Sequence, residues 1–319
     1  MRDGAAAERN EYGLSEVVGF VLLLGVIIAA MALWMMYAVP AEGREDEISH
    51  MNDVRDRFTD YKITLDSLWL NDEKGISVSS SMNLGTGGGN TQASGVFLQL
   101  LKPIGSSAVI SVKDPGDRMW INTSNSGDYS FILSILEYQS QNNYWIQQRY
   151  YYQTGGVFLA QDIGSDSGKT CRVSPPISFI KAKNESDYDL AMVNLVPIQL
   201  VGGSSFGGNG PVRVDTWMRP PEIVVDNRPN NWVQVSVNVS DMQSANMWLS
   251  VFNETRKRGL IADSDTDWYS SGINTIAPDS YTAYMRITSP PASGSGGVIL
   301  TIRRVDYYVS LNNIMSGLT

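Results

Sequence analysis

The sequence predicts a mainly β protein carried on a long N-terminal helix, and three observations predict it. The stretch Val17 to Val39, 23 residues long, holds no charge. Apolar residues then recur at steps of three and four, the period of one helical face. From Tyr61 onward the chain breaks into short alternating runs bounded by Gly, Pro and Asn, the pattern of strands and turns. Composition agrees. Charged residues make up only 18% of 319 residues, and much of the polarity comes from Ser, Thr, Asn, Gln and 29 Gly. With 24 Lys+Arg against 33 Asp+Glu the net charge is −9, and no basic stripe is visible, so nucleic acid is excluded as a partner. One His (His50) and one Cys (Cys171) exclude a Cys-His metal cage, an intrachain disulfide and most His-dependent catalysis.

The charge-free run comes first. At about 1.5 Å per residue it makes roughly 35 Å of helix, enough to cross a hydrocarbon core of about 30 Å. Trp34 and Tyr37 lie near its exit end, where amphipathic rings favour the headgroup level. A cleaved secretory signal would be shorter and end in a small-x-small site, whereas this run ends in Tyr37-Ala38-Val39-Pro40. The helix is therefore expected to be retained, with membrane lipid as its partner. Arginine counts on the two sides (Arg2 and Arg9 against Arg44, Arg55 and Arg57) do not set its orientation.

Pro40 is expected to kink the helix at the membrane surface. Beyond it, Ile48, Met51, Val54, Phe58, Tyr61, Leu65 and Leu68 form one face, with Glu42, Arg44, Glu45, Asp46, Glu47, Asp53 and Asp56 among the charges assigned to the other. Residues 41–60 thus read as an amphipathic stalk, packed either on the ectodomain or on neighbouring chains. Strands are then expected at Ile76 to Ser81, Val96 to Leu101, Ala108 to Val112, Tyr129 to Leu136, Tyr144 to Gln153, Val157 to Gln161, Ile177 to Lys181, Ala191 to Leu200, Trp232 to Val239, Met247 to Phe252, Tyr281 to Ile287 and Val298 to Tyr308. A dozen such runs imply an all-β, sandwich-like ectodomain. The Gly-rich segment 201–210 is the expected linker between two halves, 61–200 and 211–319.

Little local chemistry stands out, and no catalytic residue or cofactor is nominated. Gly164 to Thr170 (GSDSGKT) falls one residue short of a phosphate loop and reads as a polar turn. Asp263, Asp265 and Asp267 alternate, a solvated acidic turn or a calcium loop, without the Gly and Glu an EF-hand requires. Tyr138, Tyr144, Trp145, Tyr150, Tyr151 and Tyr152, with Gln139, Gln141, Gln147 and Gln148 interleaved, suit either cross-strand pairs or the stacking faces of a sugar site. Asn122, Asn184, Asn238 and Asn253 open glycosylation sequons.

Upstream of the apolar run the chain reads Asn10-Glu11-Tyr12-Gly13-Leu14-Ser15-Glu16-Val17-Val18-Gly19. This resembles the class III signal of archaeal type IV pilin-like proteins, whose short leader is cut on the cytoplasmic side while the helix is retained. The resemblance covers about the first 40 residues and implies a 1–13 leader, cleavage between Gly13 and Leu14 by a prepilin-type peptidase, and a 14–40 transmembrane helix. Glu16 would stand third in the mature chain, not fifth as in bacterial pilins. Segments further on, among them NLGTGGGNTQ and YYYQTGGVFLAQ, are similar to a group of archaeal membrane proteins with the same N-terminal signature. The resemblance implies an extracellular β domain and other pilin-like subunits as partners, with Gly19 and Gly25 permitting close helix approach. A large ectodomain suits a minor or tip subunit better than a repeating one. The alternative is a non-assembling, membrane-tethered binding module for envelope glycans or other surface partners.

Overall fold

The computed structural model describes residues 4–72, 75–86, 102–163, 166–183, 189–259, 267–289 and 297–313, with side chains from Glu16 on except at 163, 166, 167, 183, 189 and 313. A helical rod leads into a β-rich domain. The rod comprises α1 (Gly4–Leu33), a π-helical turn (Trp34–Ala38) and α2 (Val39–Leu70). Pro40 falls in the first turn of α2, directly after that turn, where the Val39 N–H reaches back to the Trp34 carbonyl. The wider π turn takes up the missing donor and the bulk of the proline ring, so the helix continues through it.

α2 reaches Leu70, ten residues past the stalk boundary expected at 60. Its buried positions Gly43, Glu47, Met51, Val54, Phe58, Tyr61, Leu65 and Leu68 step by four and three, one continuous helical stripe. The stripe lies on the β domain of its own chain.

Among the described residues there are eighteen strands. The early ones are β1 (Ser77–Asn83), β2 (Ser107–Lys113), β3 (Arg118–Thr123), β4 (Tyr129–Ile132), β5 (Ile135–Gln141), β6 (Gln147–Gln153), β7 (Gly156–Ile163), β8 (Asp166–Val173) and β9 (Ile177–Lys183). Then come β10 (Asp189–Leu195), β11 (Ile198–Val201), β12 (Ser205–Gly208), β13 (Pro211–Met218), β14 (Glu222–Asn230) and β15 (Trp232–Val239). After a helix, α3 (Met242–Arg258), follow β16 (Tyr269–Ala277), β17 (Ser280–Thr288) and β18 (Val298–Asn313). They form a six-stranded sheet β12-β2-β5-β6-β7-β8, a five-stranded sheet β16-β17-β15-β3-β4, and a seven-stranded sheet built around β18. The first half of β18 lies between parallel β10 and antiparallel β14, and its second half between parallel β11 and antiparallel β13.

Two cores result, divided by layer and not by sequence. One gathers Phe58, Tyr61 and Leu65 of α2 with Tyr138, Tyr150, Tyr152, Leu159 and Tyr307. The other surrounds Trp248 and Phe252 of α3 with Tyr151, Phe158, Phe179, Val235, Met285 and Leu300. The six-stranded sheet is shared. Because side chains alternate across a strand, Tyr150 and Tyr152 enter the first core and Tyr151 the second, which explains three consecutive tyrosines. The turn from β6 to β7 uses Thr154 and Gly155, both with positive φ (44° and 82°), as a two-residue hairpin loop whose twist suits its strands requires.

Three expectations are corrected. The run Met247 to Phe252 is helix, not strand. Asp241 caps α3 by accepting from the Ser244 N–H at 2.8 Å, Ala245, Trp248, Phe252 and Thr255 line its buried face, and Arg256, Lys257 and Arg258 close it, all helical signals. Segment 201–210, expected to be a linker, contains β12, which pairs with β2. Residues 129–136 divide into β4 and the start of β5, and 191–200 into β10 and β11. The expected strand at Val96 to Leu101 lies outside the described residues.

Candidate functional site

The side chains of Val17 to Tyr37 are almost all exposed, and the most apolar window of the rod has none of its residues buried within the chain. A helix this long and apolar can cross a membrane, and an apolar surface of this extent marks a membrane or protein contact. Glu16 is exposed at its start, and a Cβ added at Gly19 or Gly25 would meet nothing within 4 Å. Gly13 and Leu14 fall within α1, their side chains outside the described residues.

One turn past Pro40 the rod is gripped. Glu47 is 1% exposed, yet its carboxylate is fully used by the loop joining β5 to β6. Oε1 accepts from the Asn143 N–H at 2.6 Å, while Oε2 accepts from the N–H groups of Tyr144 at 2.8 Å and Trp145 at 2.6 Å. Hydrogen bonds to a charged acceptor are the strong kind, and three of them offset the cost of burying it. Gly43 lies flush against the Tyr144 ring, where a Cβ would overlap it. The Arg44 guanidinium sits 4.4 Å from the centre of the Trp145 ring, a cation–π contact. The loop is braced in turn by the Asn142 side chain on the Ile146 carbonyl and by Gln147 on the backbone of Asn142.

Further along α2, His50 Nε2 meets the Tyr138 hydroxyl at 2.8 Å. Burial pushes the His50 ring below its ordinary value, against a smaller opposing effect of Asp53. Phe58 stacks on Tyr150 with ring centres 6.3 Å apart, and Tyr61 meets Tyr152 edge-on at 5.5 Å. The Tyr61 hydroxyl bonds Thr216 on β13 at 2.8 Å, and the Tyr307 hydroxyl on β18 donates to the Leu65 carbonyl at 2.6 Å. The rod is thereby tied to two sheets.

This corrects the sugar-site reading of the aromatic cluster. Tyr138, Tyr150, Tyr151 and Tyr152 are buried, and Tyr144 and Trp145 hold Gly43 and Arg44. It also moves Glu47 from the solvent face to the buried stripe. The signal was present: Gly43, Glu47 and Met51 continue the apolar face upstream at steps of four. Replacing Glu47 by alanine leaves three part-buried N–H groups without their acceptor; a loss of about 1–3 kcal/mol is expected. Thermal melting, with hydrogen exchange at Asn143 to Trp145 as the local readout, checks it.

Other nominated residues are scattered. Asn122 and Asn238 face outward on β3 and β15, and Asn238 accepts from the Thr282 hydroxyl at 2.8 Å. Asn253 lies on α3 and accepts from Ser271 at 3.0 Å, while the Thr255 hydroxyl of its sequon is buried and donates to the Val251 carbonyl. Asn184 lies outside the described residues, as do Asp263 and Asp265; Asp267 is exposed. Gly164 and Ser165 are likewise outside, and the residues after them form β8. Among the described residues no cluster of three His, Cys, Asp or Glu is placed to hold a metal. Burial pushes the Cys171 thiol up to about 11, away from a reactive thiolate. Lys169 bonds both Asp241 and Ser244 at 2.7 Å. Those three groups are engaged in the N-cap of α3, where hydrogen bonds from Lys169 and Ser244 outweigh burial and hold Asp241 below the ordinary carboxylate range.

Compared with known proteins, the chain matches no family model, no curated protein and no solved structure at a significant level.

Proposed function

We propose that the chain is a pilin-like, membrane-anchored subunit that displays its β domain at the cell surface, as a minor or tip component of a type IV filament. One observation supports this reading: an apolar helical segment whose most apolar window has no residue buried among the described residues is continuous with a helix held onto the β domain by hydrogen bonds and a buried stripe. A tether needs only a span. A rod locked to its domain also fixes the angle and height at which that domain is held, which a packed assembly requires.

In this reading a prepilin-type peptidase cuts between Gly13 and Leu14, and residues 14–40 remain in lipid or in a filament core. Gly19 and Gly25, bare in the isolated chain, admit close approach of a neighbouring helix. Glu16, third in the mature chain in this reading, would pair with a neighbour's N-terminal amine, which would offset the cost of a carboxylate at membrane depth. Pro40 marks the exit from the apolar layer. The expected result of intact-mass analysis of the native protein is a terminus at Leu14; retention of Met1 would leave a plain signal anchor. Electron microscopy of sheared surface material then separates a filament subunit from a solitary tether.

A further inference from the structure

The five-stranded sheet buries one face against α3 and turns the other outward. Pairing places Ser130, Trp120, Ser236, Tyr284 and Gly272 in one row across all five strands, and Asn122, Gln234, Arg286 and Ser270 in the next. We propose that this face binds an uncharged or acidic polysaccharide, stacking sugar rings on Tyr284 and Trp120 and bonding their hydroxyls to the flanking amides.

The face is built in a way that packing does not require. Trp120 is 40% exposed among polar neighbours. Tyr284 stands opposite Gly272, and a Cβ there would come within 3.1–3.3 Å of Tyr284 Oη, Cε1 and Cζ. The absent side chain lets the end of the ring lean over β16, and Tyr284 stays half-exposed. Strands are spaced at about 4.8 Å, so Trp120 and Tyr284, two strands apart, stand about 10 Å from each other at the backbone. Ser236, small and buried, floors the gap. The Arg286 guanidinium sits over the Trp232 ring, 4.2 Å from its centre.

Charge narrows the ligand. No outward position of these five strands carries a carboxylate, in a chain of net charge −9. The C–H faces of a sugar ring pack on the negative face of an aromatic ring, and its hydroxyls need a few well-placed polar partners, here Asn122, Gln234 and Ser270. Arg286 favours a sugar carboxylate and disfavours an amino sugar. The buried tyrosines under α2 cannot serve in this way, and the Trp217 and Tyr308 pair on the seven-stranded sheet has Asp215 on its own face.

The proposal goes beyond anchoring and is independent of filament assembly. Its test uses the full chain in lipid nanodiscs, which avoids glycoside detergents, and measures affinity electrophoresis in gels containing xylan or polygalacturonate. Retardation by at least one of them is expected, with binding about tenfold weaker for Trp120→Ala and for Tyr284→Ala, as for aromatic anchors elsewhere. Trp217→Ala, equally exposed on the other sheet, is expected to bind as the parent does. Gly272→Ala lifts the Tyr284 ring without removing it and is expected to weaken binding as well, a control against a truncated ring acting through misfolding. Retardation by neither polysaccharide overturns the proposal, as does an equal loss in Trp217→Ala or undiminished binding in both aromatic variants. N-terminal processing plays no part in this readout, so its outcome is separable from that of the anchoring proposal.

Discussion

A chain shortened to start at residue 39 is expected to leave the membrane fraction and to stay folded. Roughly a dozen Leu, Ile, Val and Phe lie between positions 17 and 39, at about 0.3–0.6 kcal/mol each on an insertion scale, so the span favours the bilayer by roughly 4–7 kcal/mol. Its removal shifts partition by about a thousandfold or more. The β domain loses almost nothing, because burial on the rod begins at Val39 and Gly43. Alkaline washing of membranes reads the first effect and the melting temperature of the shortened chain the second. Persistent sedimentation with membranes would reveal another anchor, and loss of a cooperative transition would show that the span supports the fold.

Phe58→Ala is expected to cost about 3–5 kcal/mol, the range for emptying an aromatic site in a packed core. The ring is fully buried, stacked on Tyr150 and set in the middle of the stripe by which α2 adheres to both sheets. Ile63, on the same helix but 60% exposed, gives the contrast: Ile63→Ala is expected within about 0.5 kcal/mol. Thermal melting in the same detergent compares the two. Equal shifts would mean that α2 is not held by its buried stripe.

The apolar helix and most strands were legible in the sequence because each is written locally. A charge-free run needs no partner to be recognised, and Trp232 to Val239 alternates so cleanly that expectation and strand β15 coincide. Helix α3 was missed because Met247 to Phe252 is a short apolar run that suits either element; the helical spacing appears only when Ala245 and Thr255 are counted with it. Glu47 was misplaced because a carboxylate reads as solvated unless its three backbone donors, about a hundred residues away, are known. The outward aromatic face was invisible for the same reason. Trp120, Tyr284 and Gly272 become neighbours through strand pairing alone, and β3 and β16 are too polar to announce themselves.

Strand β18 sets the timing of the whole fold. It supplies Leu300 and Ile302 to one core and Val305, Tyr307 and Val309 to the other, and four other strands pair along its two edges. A ribosome making this chain delivers those residues after every other described strand, so neither half can close early on the growing polypeptide. Contacts so distant in sequence are slow to form, and unpaired edges left waiting are prone to stick to one another. Acquisition of the final shape therefore waits until residues near 313 are free to pair.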